Sequence, residues 1–344
     1  MPTPTVQQVV DGLVQEGYLV DLNVSKWAGQ ARLTEADLGL EGLTDSSLHR
    51  LGRKQLVAPE AIAKITAIEG RARARLTHRS FAFPFGQARF VPAKMLGLLL
   101  TEMQACKNDF DAAVEEFVNS YDALSVETRA LWMASAEKLA EAHHKDDEGW
   151  LANFAGRLEQ ANPPKSKVRA AFDMNWNLYQ FALPAGLQIK VIDAQRANQA
   201  ATLALEAKAR MEAQVSGFVS EANATLRQKA ADLCSHIRGQ LGDKISEKSL
   251  NPLRELVQEF RNMDFTGDED FAKTLEDLQA NYLGETGAEG IAGSLRTKAS
   301  FREAFGKALD QVSAKVEGEA QRVSQEAVDR FLKFGNLGRK AANG

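Results

Sequence analysis

The sequence predicts a mainly α fold, with long helices and coiled-coil-like helical hairpins and a small β-sheet in the N-terminal half. Three observations predict it. The nine prolines leave long proline-free runs, and residues 188–238 contain twelve alanines and a single glycine. Two short segments, 18–27 and 172–178, alternate apolar and polar residues. We expect three sections: an α+β section with a basic patch (1–92), a helical section ending in a strand (93–184) and a long-helix coiled-coil section (185–344).

The first section contains the first strand candidate, Tyr18 to Trp27, whose alternation is typical of a half-buried strand. Pro59 predicts the start of a helix that continues to about Arg79, because proline suits the first helical turn. The segment 81–86 is predicted as a loop or a short edge strand, since Pro84 cannot donate a hydrogen bond to a central strand.

The second section begins at Pro92 with a helix whose apolar residues alternate spacings of three and four, the pattern of a heptad seam. Its members are Leu96, Leu99, Met103, Cys106, Phe110, Ala113 and Phe117. We expect the chain to fold back near Ser125 into a second helix, and a short third helix around Trp150 to end before Pro163. The strand candidate starting at Phe172 is then available to pair with the first strand, because an isolated strand is unstable.

The third section starts with a continuous helix over 188–238, a rod of roughly 75 Å at 1.5 Å per residue. Asn251 is predicted to cap the next helix, with Pro252 in its first turn. Asp268 is predicted to cap the helix that follows. Four glycines between 284 and 293 predict a flexible connector, and residues 301–334 predict a last long helix.

The rod carries an apolar and small-residue seam that we interpret as a self-association surface. Its residues are Leu203, Ala207, Met211, Val215, Phe218, Ala222, Leu226, Leu233 and Ile237, with Ala200 and Ala230 in the same register. The mean spacing is close to an eleven-residue repeat, so any supercoil should be nearly straight. Such a long stripe has to pack along another long helix or another subunit. An intramolecular hairpin with 301–334 is the alternative, and the two arrangements are compatible.

A basic patch lies between residues 50 and 89, where nine lysines and arginines accompany two glutamates. Its candidate residues are Arg50, Arg53, Lys54, Arg71, Arg75 and Arg79. Arginine pairs with phosphate and with carboxylate. Because the preceding residues are predominantly acidic, pairing within the chain or between subunits is favoured over nucleic acid.

We find no sequence pattern that supports an enzyme, a metal site or a cofactor. His143 and His144 are adjacent and so lack the i, i+4 spacing of ligands on one helical face. Asp264, Asp268 and Asp270 lack the spacing of a calcium loop and favour a turn followed by a helix cap. The two cysteines are not paired in a CxxC motif, which fits a reducing compartment. No signal-like or membrane-spanning segment is evident, so we expect a cytoplasmic protein.

Several segments in order resemble a bacterial and phage family classed as a domain of unknown function. They include Leu22-Asn-Val-Ser-Lys-Trp-Ala-Gly, Leu33-Thr-Glu-Ala-Asp-Leu, Leu51-Gly-Arg-Lys-Gln-Leu-Val-Ala-Pro-Glu, Arg89-Phe-Val-Pro, Val168-Arg-Ala-Ala-Phe-Asp and Phe260-Arg-Asn-Met-Asp-Phe-Thr-Gly-Asp. Members of that family are often encoded beside MoxR-type AAA+ ATPases and von Willebrand factor A-domain proteins. The resemblance therefore implies such proteins as partners, and it implies no catalytic residues.

Three functions follow as hypotheses. The first is a non-enzymatic structural protein that self-associates into a homo-oligomer, tube or filament. The second is an adaptor or substrate of a MoxR-type ATPase. The third is a nucleic-acid-binding protein that uses the basic patch.

Overall fold

The fold is described from a computed structural model. It describes residues 13, 15–38, 51–84, 86–143, 148–180, 194–242, 245–284 and 290–316, without the side chains of 142–143, 148, 194–209 and 211–212. Within these residues the protein is mainly helical with a small antiparallel sheet, as the sequence predicts.

Six strands form two small sheets in the described part of the chain. The strands are β1 (Gly17–Ser25), β2 (Gln30–Arg32), β3 (Arg53–Gln55), β4 (Phe81–Ala82), β5 (Arg89–Pro92) and β6 (Asp173–Tyr179). The larger sheet has the order β4-β5-β1-β6, and β2 pairs with β3 in the other. Leu19 lies opposite Phe90 in the antiparallel β1–β5 ladder. The predicted pairing of the two strand candidates, β1 and β6, is confirmed, and β4 is the edge strand expected near Pro84.

Helices account for most of the other described residues. They are α1 (Ala63–His78), α2 (Ala93–His143), α3 (Glu148–Ala161), α4 (Lys165–Ala170), α5 (Ala194–Gln240), α6 (Glu247–Met263), α7 (Glu269–Tyr282) and α8 (Gly290–Thr297). A further helix, α9, occupies the described residues 299–316. Short 3₁₀ helices precede α1 (Pro59–Ile62) and follow β2 (Ala36–Leu38).

The chain forms two compact units, each assembled from segments that are distant in sequence. The first comprises Met1–Asp21, Thr77–Leu99 and Leu178–Gly344, and the second comprises Leu22–Leu76 and Leu100–Asn177. The three consecutive sections expected from the sequence stay a prediction.

The core of the first unit contains a cluster of five phenylalanines. Phe81, Phe83 and Phe90 come from the β4–β5 hairpin, Phe218 from α5 and Phe265 from the α6–α7 turn. Phe218 lies in the middle, with ring centroids 5.2 Å from Phe83 and 5.4 Å from Phe90. Edge-on and stacked aromatic pairs at these separations add to the energy of apolar burial. The cluster therefore fixes the β4–β5 hairpin against α5.

The core of the second unit is organised by α2. The predicted seam of this helix is buried from Met103 through Cys106 and Phe110 to Phe117. A satellite cluster joins Ala136 and Ala140 to the α3 residues Trp150, Phe154 and Leu158. Two indole N–H groups connect it to β3 and to the first 3₁₀ helix, because Trp132 donates to the Gln55 carbonyl and Trp150 donates to the Ala36 carbonyl.

Three local predictions are wrong. The chain does not fold back near Ser125, because α2 continues through it to His143 with Ser125 itself buried. Asn251 does not cap α6; Ser246 does, in a reciprocal capping box with Ser249, and this places Pro252 inside the helix. Gly290 begins helix α8 and Gly293 lies within it, so this part of the predicted connector is helical, whereas Gly284 lies in a bend after α7. Gly287 lies outside the described residues.

Within the described part of the chain, no helix combines the length and the apolar composition needed to cross a bilayer.

Candidate self-association surface

The seam of the long helix separates into two parts. Its C-terminal part is buried within the chain, at Val215, Phe218, Ala222, Leu226 and Ile237, and Leu233 is half-buried. Its N-terminal part is formed by Leu203, Ala207 and Met211. These lie on α5, but their side chains are outside the described residues, as is the backbone of 188–193.

The C-terminal part of the seam packs against helices of the same unit. Leu226 and Leu233 line a groove together with Leu256 and Phe260 of α6. On its other side α5 lies antiparallel to α9: Arg238 pairs with Asp310 at 3.2 Å, and the hydroxyls of Ser235 and Ser313 are 3.5 Å apart. The intramolecular hairpin is therefore present over residues 299–316, and the remainder of the predicted last helix is outside the described residues. Seam residues that are buried within the chain cannot contact a second subunit unless the helices that cover them move away.

A buried polar centre lies beside the seam and was not predicted from the sequence. Arg227 and Asp268 are fully buried, and the guanidinium Nε donates to the Asp268 carboxylate at 2.6 Å. Arg227 Nη1 also donates to the Lys315 carbonyl of α9 at 2.9 Å. The Asn223 amide donates to the Thr266 hydroxyl at 2.9 Å. A buried charge has to be paired and hydrogen-bonded to be tolerated, so this centre fixes the register of α5 against α7 and α9.

The turn before α7 positions the acidic member of this centre. Asp264 accepts hydrogen bonds from the backbone N–H groups of Thr266, Gly267 and Asp268. Gly267 has φ +71°, a conformation that glycine adopts without strain. Asp268 then caps α7 by accepting from the Phe271 N–H. The predicted turn and cap are both present, and these bonds occupy carboxylate oxygens that a calcium loop would use for the metal.

The predicted basic patch is dispersed in the structure. Lys54 is buried in an ion pair with Asp37 at 2.8 Å, and Arg157 contacts the other Asp37 oxygen at 3.3 Å. Arg53 is exposed and Arg79 is half-buried, whereas Arg50 lies outside the described residues.

The arginines of α1 face acidic residues of α2. Lys64 pairs with Glu116, Arg71 with Asp109 and Arg75 with Glu102, at N···O distances of 2.5, 2.5 and 3.0 Å. Glu116, Asp109 and Glu102 are spaced by seven, so the two helices run antiparallel with their charges in register. The exposed pairs contribute little stability individually. Each pair nevertheless places a carboxylate beside a basic side chain of the patch region.

Among the described residues, no group of three or more histidine, cysteine, aspartate or glutamate side chains is arranged to hold a metal ion. His144, Asp146 and Asp147 lie outside the described residues, and only the backbone of Glu148 is described.

One family model matches residues 14–291, more than three quarters of the sequence, under the description of a protein of unknown function (DUF3150). The chain belongs to the DUF3150 family. The DUF3150 match includes the β1–β5 ladder, the α1–α2 ion pairs, α5 and Asp268. It ends at the start of α8, before α9 and its Lys315 carbonyl. No curated protein and no solved structure matches the chain.

Proposed function

We propose that this DUF3150 protein is a non-enzymatic helical scaffold that self-associates through the N-terminal part of α5. One observation carries the proposal. Helix α5 begins at Ala194, and the apolar spacing near this N-terminus continues the register of the seam that is buried from Val215. About twenty helical residues, or roughly 30 Å, precede that point.

The sequence of this N-terminal part of α5 suits contact with another copy. Leu203, Ala207 and Met211 continue the register of the buried seam at intervals of four residues. Alanine allows two backbones to approach closely but buries little area, and each leucine or methionine contributes about 1.5–3 kcal/mol when fully buried. Association also costs translational and rotational freedom. A short seam of this kind therefore requires pairing of equivalent helices, or repetition in a larger array, to be stable.

The proposal is tested by measuring mass with light scattering across a tenfold concentration range at two salt concentrations, with electron microscopy of the same samples. We expect a mass above the monomer that rises with concentration and persists at high salt, because the seam is apolar. Particles of monomer mass under every condition would contradict the proposal.

A role as adaptor or substrate of a MoxR-type ATPase is the second candidate, motivated by the family resemblance. A von Willebrand factor A-domain protein would be a further partner. It is tested by capturing the purified ATPase on the immobilised chain with and without nucleotide. Nucleotide-dependent capture would support it, and absence of capture in both states would exclude it.

Nucleic-acid binding is the third candidate, and the structure gives it little support. Lys54, Arg71 and Arg75 each have a carboxylate partner within the chain. Binding to long DNA or RNA that weakens steeply with salt would favour this function, because phosphate contacts release counterions. Absent or salt-insensitive binding would exclude it.

A further inference from the structure

A small cavity lies between α5 and the β4–β5 hairpin in the first unit. Its volume is about 200 Å³, and the rings of Phe81 and Phe218 line it. The polar lining comprises Thr77, Ser80, Arg89, Glu221, Thr225 and Lys229. Two cations and three hydroxyl groups thus line a space smaller than the sites that hold drug-sized ligands, and Thr77 and Thr225 lie at its exposed edge.

The first cation, Arg89, is half-buried and held in a fixed orientation. Its Nε donates to the Ser80 hydroxyl at 2.7 Å, and Nη2 donates to the Ser80 carbonyl at 3.3 Å. Burial lowers the pKa of the guanidinium from its ordinary value. The charge is therefore poorly hydrated, and its contacts within the chain are to neutral oxygen atoms.

The second cation, Lys229, reaches the same cavity from α5. Its ammonium donates to the His78 carbonyl at 3.3 Å. Burial lowers the pKa of Lys229, the positive charges of Arg89 and Arg79 lower it further, and Glu259 opposes the shift. Two cations that repel each other in a partly dehydrated cavity are costly unless an anion compensates them.

Neither cation has a carboxylate in ion-pair contact among the described residues, unlike Lys54, Arg71 and Arg75. Glu221 lies at the exposed rim of the cavity. Glu259 is engaged with His78 at 3.0 Å. These carboxylates therefore make no direct contact with Arg89 or Lys229, although the charge of Glu259 acts on Lys229 at longer range.

We propose that this cavity binds a phosphate group, with Arg89 and Lys229 supplying the charge and the hydroxyls of Thr77 and Thr225 as further donors. A phosphate has enough acceptor oxygens to serve a guanidinium, an ammonium and hydroxyls together, whereas a carboxylate has only two. A volume of about 200 Å³ has room for at least one phosphoryl group. That group is either the free ion or the terminal phosphate of a small ester.

The test is isothermal titration calorimetry of the full chain with inorganic phosphate, in buffer of matched ionic strength. Three variants are compared with the wild type: Lys229→Gln, Thr225→Val and Lys273→Gln. Lys273 is an exposed lysine of α7 outside the cavity, so its variant is the matched control. Circular dichroism of each variant without phosphate establishes that it is folded.

We expect saturable phosphate binding that is at least about tenfold weaker in Lys229→Gln and unchanged in Lys273→Gln, as loss of one charge-assisted bond implies. Thr225→Val, which keeps both cations, should weaken binding less. Glycerol 3-phosphate distinguishes the source: binding that is also sensitive to Lys229→Gln indicates an ester, and binding of inorganic phosphate alone indicates the free ion. Absence of saturable binding, equal loss in Lys273→Gln, or equally tight binding of acetate would overturn the proposal.

Discussion

Arg227 and Asp268 form an ion pair whose side chains are both wholly inaccessible to solvent, with Nε and Oδ2 2.6 Å apart. The guanidinium also lies 5.0 Å from the centre of the Phe271 ring and donates to the Lys315 carbonyl. One side chain of α5 therefore contacts the start of α7 and the end of the described part of α9. The pair therefore holds three helices of the first unit in one register.

Replacing Asp268 with asparagine should strongly destabilise the first unit. Asparagine still caps a helix through its one acceptor oxygen, so the change removes the charge and the oxygen that accepts from Arg227. It leaves Arg227 buried without its counter-charge, which costs roughly 3–5 kcal/mol when one partner of a buried pair is removed. Urea unfolding measures the loss. The control is Asp310→Asn in the exposed Arg238–Asp310 pair, expected to cost less than about 1 kcal/mol. Similar losses in the two variants would contradict the buried centre.

Substitution by alanine should lower the stability at Gly17 and raise it at Gly70. A Cβ at Gly17 would lie 2.5 Å from both the Phe90 ring and the Val91 carbonyl oxygen, whereas a Cβ at Gly70 meets nothing within 4 Å. Gly17→Ala should cost about 1–3 kcal/mol through overpacking. Gly70→Ala should stabilise the exposed face of α1 by about 0.5–1 kcal/mol. Thermal unfolding of both variants measures the two changes in stability. An unchanged stability of Gly17→Ala would mean that β1 and β5 are not in the register described.

The Cys234 thiol should be inert in the native protein. It is fully buried on α5, and burial raises its pKa to about 12. Because the thiolate is the reactive form, a disulfide reagent at mildly alkaline pH should label it only after unfolding. The measurement uses the Cys106→Ala variant, which leaves Cys234 as the single thiol. Rapid labelling of this variant while it is folded would show that α5 is not packed as described.

The free energy of unfolding of the second unit should decrease in acid, when the Asp37 carboxylate becomes protonated. Burial raises the pKa of Asp37, but hydrogen bonds from Lys54 and Thr34 outweigh it, so the net pKa is lowered. The unfolded chain has an ordinary aspartate pKa of about 3.9 and takes up the proton first as the pH falls. The contribution of Asp37 is therefore complete above about pH 4 and is lost below it, as the pH passes through the folded-state pKa.

Urea unfolding of wild type and Asp37→Asn across this range measures the effect. The difference between them should be constant near neutral pH and should narrow below about pH 4. A gap that keeps its size into strongly acidic solution would contradict the charged role of Asp37.

Local patterns predicted much of the fold. The alternation of residues 18–27 predicted β1, Pro59 marked the start of the α1 region and Asp268 was recognised as a cap. The failures have physical causes. A turn was expected near Ser125, but α2 continues through this residue, whose side chain is buried by tertiary packing. Strand β5 depends on pairing with β1 and has little signal of its own.

The candidate site was predicted in part, because periodicity identifies a buried stripe without revealing what covers it. Residues 215–237 of the seam are buried where the spacing placed them, yet the same chain covers them. The polar centre was missed, although Asn223 and Arg227 lie four residues apart beside the seam. That spacing was an available signal. Only the contact with Asp268, which is distant in sequence, distinguishes these two residues from polar residues on a solvent-exposed face.

The central claim is most directly tested by analytical ultracentrifugation of Leu203→Lys and Leu205→Lys beside the wild type, over a tenfold concentration range. The two leucines are two residues apart and therefore lie on nearly opposite faces of α5. We predict that the wild type and Leu205→Lys associate, and that Leu203→Lys sediments as a monomer. Association of Leu203→Lys to the same extent, or a monomeric wild type at every concentration, would contradict self-association through this seam.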